Sequence, residues 1–232
     1  MLNFLLPFSF ISVAVLFVSL QKIHNEGYRF YFIFLIVSFA FQFISLYLGL
    51  FGYLFTLFVL WFFRDPERNA PADINAIISP ADGTICKIDK VKPPLESEIK
   101  SDSCLRICIF MSVFNVHVNR APIKGIINKI IYIPGKFFVA SLDKASEHNE
   151  RNILVMENDK KESIVVVQIA GLIARRILSF VRESEKLILG QRFGLIRFGS
   201  RVDVYLPLKY ETSLTKGDKV KAGESILANH KK

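Results

Sequence analysis

The chain has 232 residues, of which 51% are hydrophobic and 13% aromatic, and it carries a formal net charge of +9 at pH 7. This composition excludes an ordinary soluble domain, and the apolar excess lies at the N-terminus. An excess of basic residues indicates an anionic partner. Because the N-terminus is so apolar, an anionic membrane is favoured as that partner. Basic charge is the only argument for nucleic acid.

The first elements are apolar. Leu2 to Leu20 lacks the basic start and the cleavage site of a secretory signal, so it predicts a retained membrane helix. After a polar turn, Phe30 to Phe63 is a run of 34 residues without a charge, longer than the roughly 20 residues of one membrane crossing but short for two. We expect a helical hairpin or re-entrant pair lying partly in the bilayer, with its bend at Gly49 and Gly52.

A charged sequence ends the apolar part of the chain. Arg64 to Arg68 reads RDPER, and arginines at a membrane edge indicate a cytoplasmic exit. Residues 1–63 are therefore predicted to be a membrane-associated helical segment. Residues 64–232 are predicted to form one compact domain on the cytoplasmic side of the cell membrane.

Short β-branched runs separated by turn residues predict a β-rich α+β fold for this domain. Strands are expected over Leu105–Phe110, Gly125–Tyr132, Ile153–Met156, Ser163–Ile169 and Lys186–Leu189, and one helix over Gly171–Val181. Ser79–Ile88 and Lys216–Ala228 resemble the hammerhead half motifs of biotinyl and lipoyl carrier domains, which are barrel-sandwich folds. Neither has a carrier lysine at its turn, so the likeness predicts architecture and not a carrier function.

The pair Gly199-Ser200 interrupts a pattern that alternates like a strand on both sides. A small pair of this kind marks a bulge, a tight bend or a close backbone approach. It also fits a strained peptide bond whose carbonyl lies beside its own nucleophile. That second interpretation requires a base for Ser200.

Two residues could assist Ser200. Asp82 lies in the sequence SPADG, where proline and glycine make a rigid turn, so its carboxylate either caps that turn or is displayed for chemistry. His117 lies in FNVHVNRAP, with Asn115 and Asn119 on the same predicted strand face, and fits either a hydrogen-bonded surface residue or a base. The three other histidines lie in a turn, a charged loop and the C-terminal tail, and are weaker candidates.

The sequence lacks other catalytic signatures. It has no H-E-x-x-H, G-x-S-x-G, G-x-G-x-x-G or P-loop motif, which removes the support for metalloprotease, α/β-hydrolase and nucleotide-binding functions. Cys86, Cys104 and Cys108 form no C-x-x-C pair and predict buried, reduced thiols. Arg151, Arg175 and Arg176 are interpreted as a solvated charged face, with a contact to anionic lipid as the alternative.

The motifs FFRDPER, SPADG, NVHVNRAP, ASEHNERN and RFGSRVDVYLP follow one another in an order and at a spacing that resemble the short-form (type A) phosphatidylserine decarboxylase proenzymes. The resemblance covers nearly the whole chain from Glu26 onward. It implies a self-cleaving, pyruvoyl-dependent enzyme that converts phosphatidylserine to phosphatidylethanolamine and carbon dioxide in phospholipid biosynthesis. The implied partners are phosphatidylserine in an anionic membrane and the two cleavage chains, which form a heterodimer. A higher oligomer is compatible with the resemblance.

By this resemblance Ser200 matches the serine that becomes the pyruvoyl group and forms a Schiff base with the substrate. His117 and Asp82 match its triad partners, and no metal is implied. The cut between Gly199 and Ser200 would give a large chain 1–199 and a small chain 200–232. The longer bacterial form has Leu-Gly-Ser-Thr at the cut and a second histidine before the triad one, where this chain has Phe114.

Two other classes of function use the same residues differently. A membrane-anchored Ser-His-Asp hydrolase would use Asp82, His117 and Ser200 on an external substrate and stay uncut. A non-enzymatic membrane scaffold would tolerate the loss of all three side chains. The number of chains on a denaturing gel separates the proenzyme from both.

Overall fold

The computed structural model describes residues 2–73, 75–138, 148–171, 176–197 and 200–231. The chain divides into two compact units, Met1–Glu67 and Arg68–Lys232. Helices make up the first unit and strands dominate the second. The prediction of a β-rich fold preceded by helices is therefore confirmed.

The first unit contains α1 (Leu2–Leu20), α2 (Asn25–Phe41) and α3 (Leu46–Phe62). The second and third helices form the helical hairpin that was predicted for this stretch. The predicted bend is wrong, because the chain turns at residues 42–45 and not at the glycines. None of the described helices has the combined length and apolarity that a membrane crossing needs.

The glycines of α3 have a packing role. A Cβ atom at Gly49 would lie 2.5 Å from the Cβ of Gln42, and one at Gly52 would lie 2.6 Å from the Oγ of Ser38. Small residues on a helix face allow two helices to approach closely. The approach also brings the Oγ of Ser38 within 3.3 Å of the Thr56 hydroxyl. The glycines thus join α3 to α2 rather than bending the chain.

The second unit contains fourteen described strands and one 3-10 helix (Leu95–Ser97). The strands are β1 (Ile77–Ile78), β2 (Gly83–Val91), β3 (Cys104–Met111), β4 (Val118–Arg120), β5 (Gly125–Ile133), β6 (Arg151–Glu157), β7 (Ser163–Ala170), β8 (Ile177–Ser179), β9 (Lys186–Leu187), β10 (Arg192–Ile196), β11 (Ser200–Leu206), β12 (Tyr210–Glu211), β13 (Lys219–Val220) and β14 (Ile226–His230). The five predicted strands are confirmed as β3, β5, β6, β7 and β9.

These strands form one large antiparallel sheet and two small ones. The large sheet has eight strands in the order β13-β2-β3-β11-β7-β6-β5-β9, and the small sheets have the orders β1-β14-β12 and β4-β10-β8. Side chains alternate across a strand, so Val202 and Val204 of β11 face the main apolar core while Tyr205 faces a smaller cluster on the other side. The strand β11 is central, since it pairs with β3 and β7.

Two local predictions were wrong. The expected helix Gly171–Val181 contains the strand β8, in which Leu178 pairs with Leu195 of β10; residues 172–175 lie outside the described part. The expected strand around His117 begins only at Val118. The residues before it form a turn, because the backbone N–H and the hydroxyl of Ser112 both donate to the Asn115 side chain, each at 2.9 Å.

The two stretches likened to hammerhead halves lie against each other. Lys219 pairs with Thr84, and Val220 pairs with Gly83. The backbone N–H of Gly223 also donates to the carbonyl of Ser79 at 2.8 Å. Gly223 has φ +78°, a conformation that favours glycine and allows the chain to turn within the second stretch.

Candidate active site

Ser200 lies where the chain passes from one sheet to another. The strand before it, β10, belongs to the β4-β10-β8 sheet, whereas β11 begins at Ser200 in the large sheet. The alternating pattern on both sides of the pair therefore represents two strands, not one. Gly199, the predicted cleavage partner, lies outside the described residues, as does Phe198.

The Ser200 side chain is fully buried. Its backbone pairs with Met111 of β3 and Ala170 of β7, and its Oγ donates to the Sδ of Met111 at 3.3 Å. A thioether is a weak acceptor, so this hydroxyl is not held by a strong hydrogen bond. The hydroxyl is therefore not committed to a strong acceptor.

His117 is also fully buried, between the Ser112 turn and β4. Its Nδ1 lies 2.9 Å from the carbonyl oxygen of Asn115. A carbonyl can only accept, so in the neutral ring Nδ1 carries the hydrogen and Nε2 carries the lone pair, which gives Nε2 the character of a base. The carbonyl of His117 accepts from the N–H of Ile196 at 3.3 Å, which places this residue beside the end of β10.

Asp82 is held by two donors. Its Oδ1 accepts from the backbone N–H of Ala222 at 2.7 Å, and its Oδ2 accepts from the Nη2 of Arg68 at 2.9 Å. The turn that carries Asp82 reaches β4, because the carbonyl of Pro80 accepts from the N–H of Arg120 at 2.9 Å. The structure thus brings the Asp82 turn to the strand that follows His117, while Nδ1 of His117 contacts Asn115. The orienting role expected of Asp82 stays a prediction.

Three buried amides on β6, β7 and β4 were not predicted as site residues. The Nδ2 of Asn152 donates to the Oε1 of Gln168 at 3.0 Å, and the Nε2 of Gln168 donates to the Oδ1 of Asn119 at 2.8 Å. The side chains are at most 2% exposed. The sequence held one signal for them: Gln168 stands in the apolar strand SIVVVQIA, where an uncharged polar residue needs a buried partner.

Other residues of the predicted motifs and of the predicted charged face differ in their surroundings. Phe114 is 64% exposed in the turn before His117. Asn149 donates to the carbonyl of Ala170, the strand partner of Ser200, at 2.7 Å. Arg151 pairs with Glu96 at 2.8 Å with only 15% of its side chain exposed, so the predicted solvated face is wrong for Arg151. Arg176 is exposed, as predicted, and residues 147 and 175 lie outside the described part.

A buried ion pair follows Ser200 on the other face of the sheet. Arg201 donates to both carboxylate oxygens of Asp203, at 2.6 and 2.7 Å, and its Nη2 also lies 3.3 Å from the Sγ of Cys108. All three cysteines are free thiols, as predicted, but only Cys104 and Cys108 are buried, while Cys86 is half-buried. Hydrogen bonding with Cys108 lowers the pKa of the Cys86 thiol to about 7, and the same interaction raises the pKa of Cys108.

The chain is similar to proteins of one family over most of its length. The profile of the family described as phosphatidylserine decarboxylase matches residues 55–228. The chain is 48% identical over 211 residues to the phosphatidylserine decarboxylase proenzyme of Xanthobacter autotrophicus, which covers 91% of this chain and 90% of the relative. It is 49% identical over 212 residues to that of Azorhizobium caulinodans, with 91% of each chain covered. It is 48% identical over 207 residues to that of Rickettsia typhi, with 89% of this chain and 90% of the relative covered. The chain belongs to the phosphatidylserine decarboxylase family.

Proposed function

We propose that the chain is a proenzyme that cuts its own backbone between Gly199 and Ser200 and, once mature, decarboxylates phosphatidylserine to phosphatidylethanolamine. The observation that carries this proposal is a fully buried serine hydroxyl on a weak acceptor at the start of a strand, together with a buried histidine whose Nδ1 lies on the Asn115 carbonyl and whose own carbonyl accepts from Ile196, shortly before that serine in the chain. Family membership supports the same function.

Maturation begins with proton removal. A serine hydroxyl is a poor nucleophile until a base takes its proton. The proposed base is the Nε2 of His117, because Nδ1 carries the hydrogen that faces the Asn115 carbonyl. The Oγ of Ser200 then attacks the Gly199 carbonyl, and the peptide N–C bond breaks to leave an ester. Elimination of the ester releases the carboxylate of residue 199, and addition of water to the remaining unsaturated residue releases ammonia and leaves a ketone at position 200.

The residues present fit such a ketone. Ser200 is fully buried, and its hydroxyl lies on the Met111 thioether, which the donor end of the Asn119 amide also contacts; none of the described carboxylates is hydrogen-bonded to that hydroxyl. When formed, a pyruvoyl group supplies an electron sink for the carbanion left by carbon dioxide. The chain's own residues supply the burial, the orientation and the proton.

His117 serves twice in this proposal. It takes the serine proton during maturation and later returns a proton to the decarboxylated substrate carbon, because Phe114 replaces the second histidine of the longer form. Asp82 acts through its position. The proposed hammerhead-like halves, Ser79–Ile88 and Lys216–Ala228, hold its carboxylate in place, since the N–H of Ala222 in one half donates to Asp82 in the other.

The two products stay together as a heterodimer after the cut. The small chain would start with β11, which lies between β3 and β7 and pairs with both over most of its length. It would also contribute β13 to β2 and β14 to β1. This backbone pairing does not depend on the bond between residues 199 and 200.

The substrate is a membrane lipid, so the apolar residues 1–63 are proposed to associate with the cell membrane and the second unit to work at its cytoplasmic face. Ser200→Ala tests the proposal on a denaturing gel. Wild-type protein should give two pieces and turn phosphatidylserine over, while the variant should give one piece and no turnover. One wild-type piece that reacts with a fluorophosphonate would instead support a serine hydrolase.

A further inference from the structure

The three buried amides form a directed chain that ends at the Met111 sulfur, which also accepts from the Ser200 hydroxyl. The order of donation is Asn152 to Gln168 to Asn119, which leaves the Nδ2 of Asn119 as the terminal donor. The residues come from three strands, β6, β7 and β4, and the first two face the main core from the large sheet. Such an arrangement is costly to bury unless its members are satisfied.

The carbonyl of Pro80 fixes the direction of donation. The Asn119 amide lies 3.4 Å from that carbonyl oxygen, which can only accept. If all three amides were reversed, the Asn119 oxygen would face the Pro80 oxygen, and two acceptors would meet in a buried place. The Gln168 donor also requires an oxygen at the other end of Asn119. The NH₂ group of Asn119 therefore points towards Met111 and the Pro80 turn.

This terminal donor is poorly satisfied. Its contacts are the Pro80 carbonyl at 3.4 Å, which already accepts from the Arg120 N–H at 2.9 Å, and the Met111 sulfur at 3.8 Å. Both distances exceed those of a strong N–H···O hydrogen bond. The Oγ of Ser200 donates to the same sulfur at 3.3 Å, so Asn119 Nδ2 and Ser200 Oγ cannot be more than about 7 Å apart. Two buried donors thus share one weak acceptor.

The conversion of Ser200 removes one donor and creates an acceptor. The Oγ of Ser200 leaves with the carboxylate of residue 199, its Cβ becomes a methyl group, and a carbonyl oxygen replaces the backbone nitrogen on the Cα of the same residue. We propose that the Nδ2 of Asn119 donates a hydrogen bond to this carbonyl oxygen and makes the ketone more electrophilic towards the amine of the substrate. The inference rests on the proposed conversion of Ser200.

Gln168 is the positioning residue in this account. It holds the Oδ1 of Asn119 and thereby turns Nδ2 towards the site. Space for its amide comes from Gly194, where a Cβ atom would lie 2.8 Å from the Nε2 of Gln168. Asn152 in turn holds the oxygen of Gln168.

The test compares Asn119→Ala, Asn119→Asp and Gln168→Met with the wild type, all as full-length matured protein. Tyr210→Phe is the matched control, because it removes a buried hydrogen bond, to Glu162, in the β1-β14-β12 sheet. The protein is labelled with serine carrying ¹³C at Cα. Only a ketone at position 200 turns that carbon into a carbonyl, so isotope-edited infrared spectra isolate its stretching band.

The expected result is a band that moves to higher frequency in both Asn119 variants and by a smaller amount in Gln168→Met, with no movement in Tyr210→Phe. A second readout is the rate at which methoxyamine adds to the small chain, followed by mass. Loss of one preorganised donor should slow it by roughly 10²-fold in Asn119→Ala. Gln168→Met keeps the Asn119 amide and should lie between that variant and the wild type.

The outcomes separate the two proposals. A wild-type protein without a ¹³C carbonyl band would overturn the conversion of Ser200 itself. A wild-type band that stays at the same frequency in all Asn119 variants, with unchanged methoxyamine rates, would overturn the role of Asn119 and leave the proposed function intact. An equal shift in Tyr210→Phe would show a general loss of packing and also overturn it.

Discussion

The buried ion pair Arg201–Asp203 should be a large contributor to the integrity of β11. Its side chains are 1% and 0% exposed, and two short hydrogen bonds join them. Asp203→Asn would leave the guanidinium buried without its charge partner, which typically costs about 3–5 kcal/mol. For a unit of this size each kcal/mol lowers the midpoint of thermal unfolding by roughly 2–4 °C, so we expect a fall of about 6–20 °C.

The assay is thermal and urea unfolding of the full chain in the uncut Ser200→Ala background, so that one covalent chain is followed. The double variant Arg201→Met with Asp203→Leu replaces both charges by apolar groups and should recover most of the loss. Asp159→Asn is the surface control, since its pair with Lys124 is mostly exposed and should cost less than about 1 kcal/mol. A loss in Asp203→Asn no larger than in this control, or a double variant as unstable as the single one, would refute the reasoning.

Three further predictions concern maturation and pH. Ser200→Ala should abolish cleavage and Ser200→Cys should leave slow cleavage, because a thiol can still attack; equal cleavage of all forms on a gel would contradict this. His117→Ala should accumulate uncut chain. If the same ring returns the proton to the substrate carbon, the fraction matured with added imidazole should decarboxylate about 10²–10⁴-fold more slowly per pyruvoyl group. Wild-type turnover in that fraction would contradict the role of His117 as proton donor. Burial acts to raise the pKa of Glu162, but hydrogen bonds from Lys209, Tyr210 and Asn158 outweigh it and lower the pKa to about 2. In urea titrations, the difference in free energy of unfolding between wild type and Glu162→Gln should therefore be largest above pH 4.5 and should shrink as the pH falls towards 2. A difference that does not change with pH would contradict a stabilising ion pair between Glu162 and Lys209.

The strands were predictable because their signal is local. β-Branched runs such as SIVVVQIA specify a buried strand without reference to the rest of the chain. The segment around Leu178 was not predictable in this way, since its short run fits a helix and becomes a strand only by pairing with Leu195, which is distant in sequence. Gly49 and Gly52 show the same limit, because a glycine that allows close helix packing looks like a glycine that allows a bend.

Ser200, His117 and Asp82 were predicted as site residues from the combination of motifs, because each motif alone also fits a structural role. The Asn119–Gln168–Asn152 chain was not predicted, because its members come from three strands and their alignment depends on sheet order. The Asn115 carbonyl that fixes the His117 tautomer is a backbone group, and no side-chain pattern reveals it.

The most direct test of the account is the intact mass of the purified wild-type protein under denaturing conditions. We predict two chains, residues 1–199 and a chain of 33 residues that begins at position 200. The smaller chain should be lighter by one ammonia than a chain starting with serine, and it should resist Edman sequencing. A single uncut chain, or a small chain with a free serine at its N-terminus, would contradict the central claim that Ser200 becomes the reactive carbonyl.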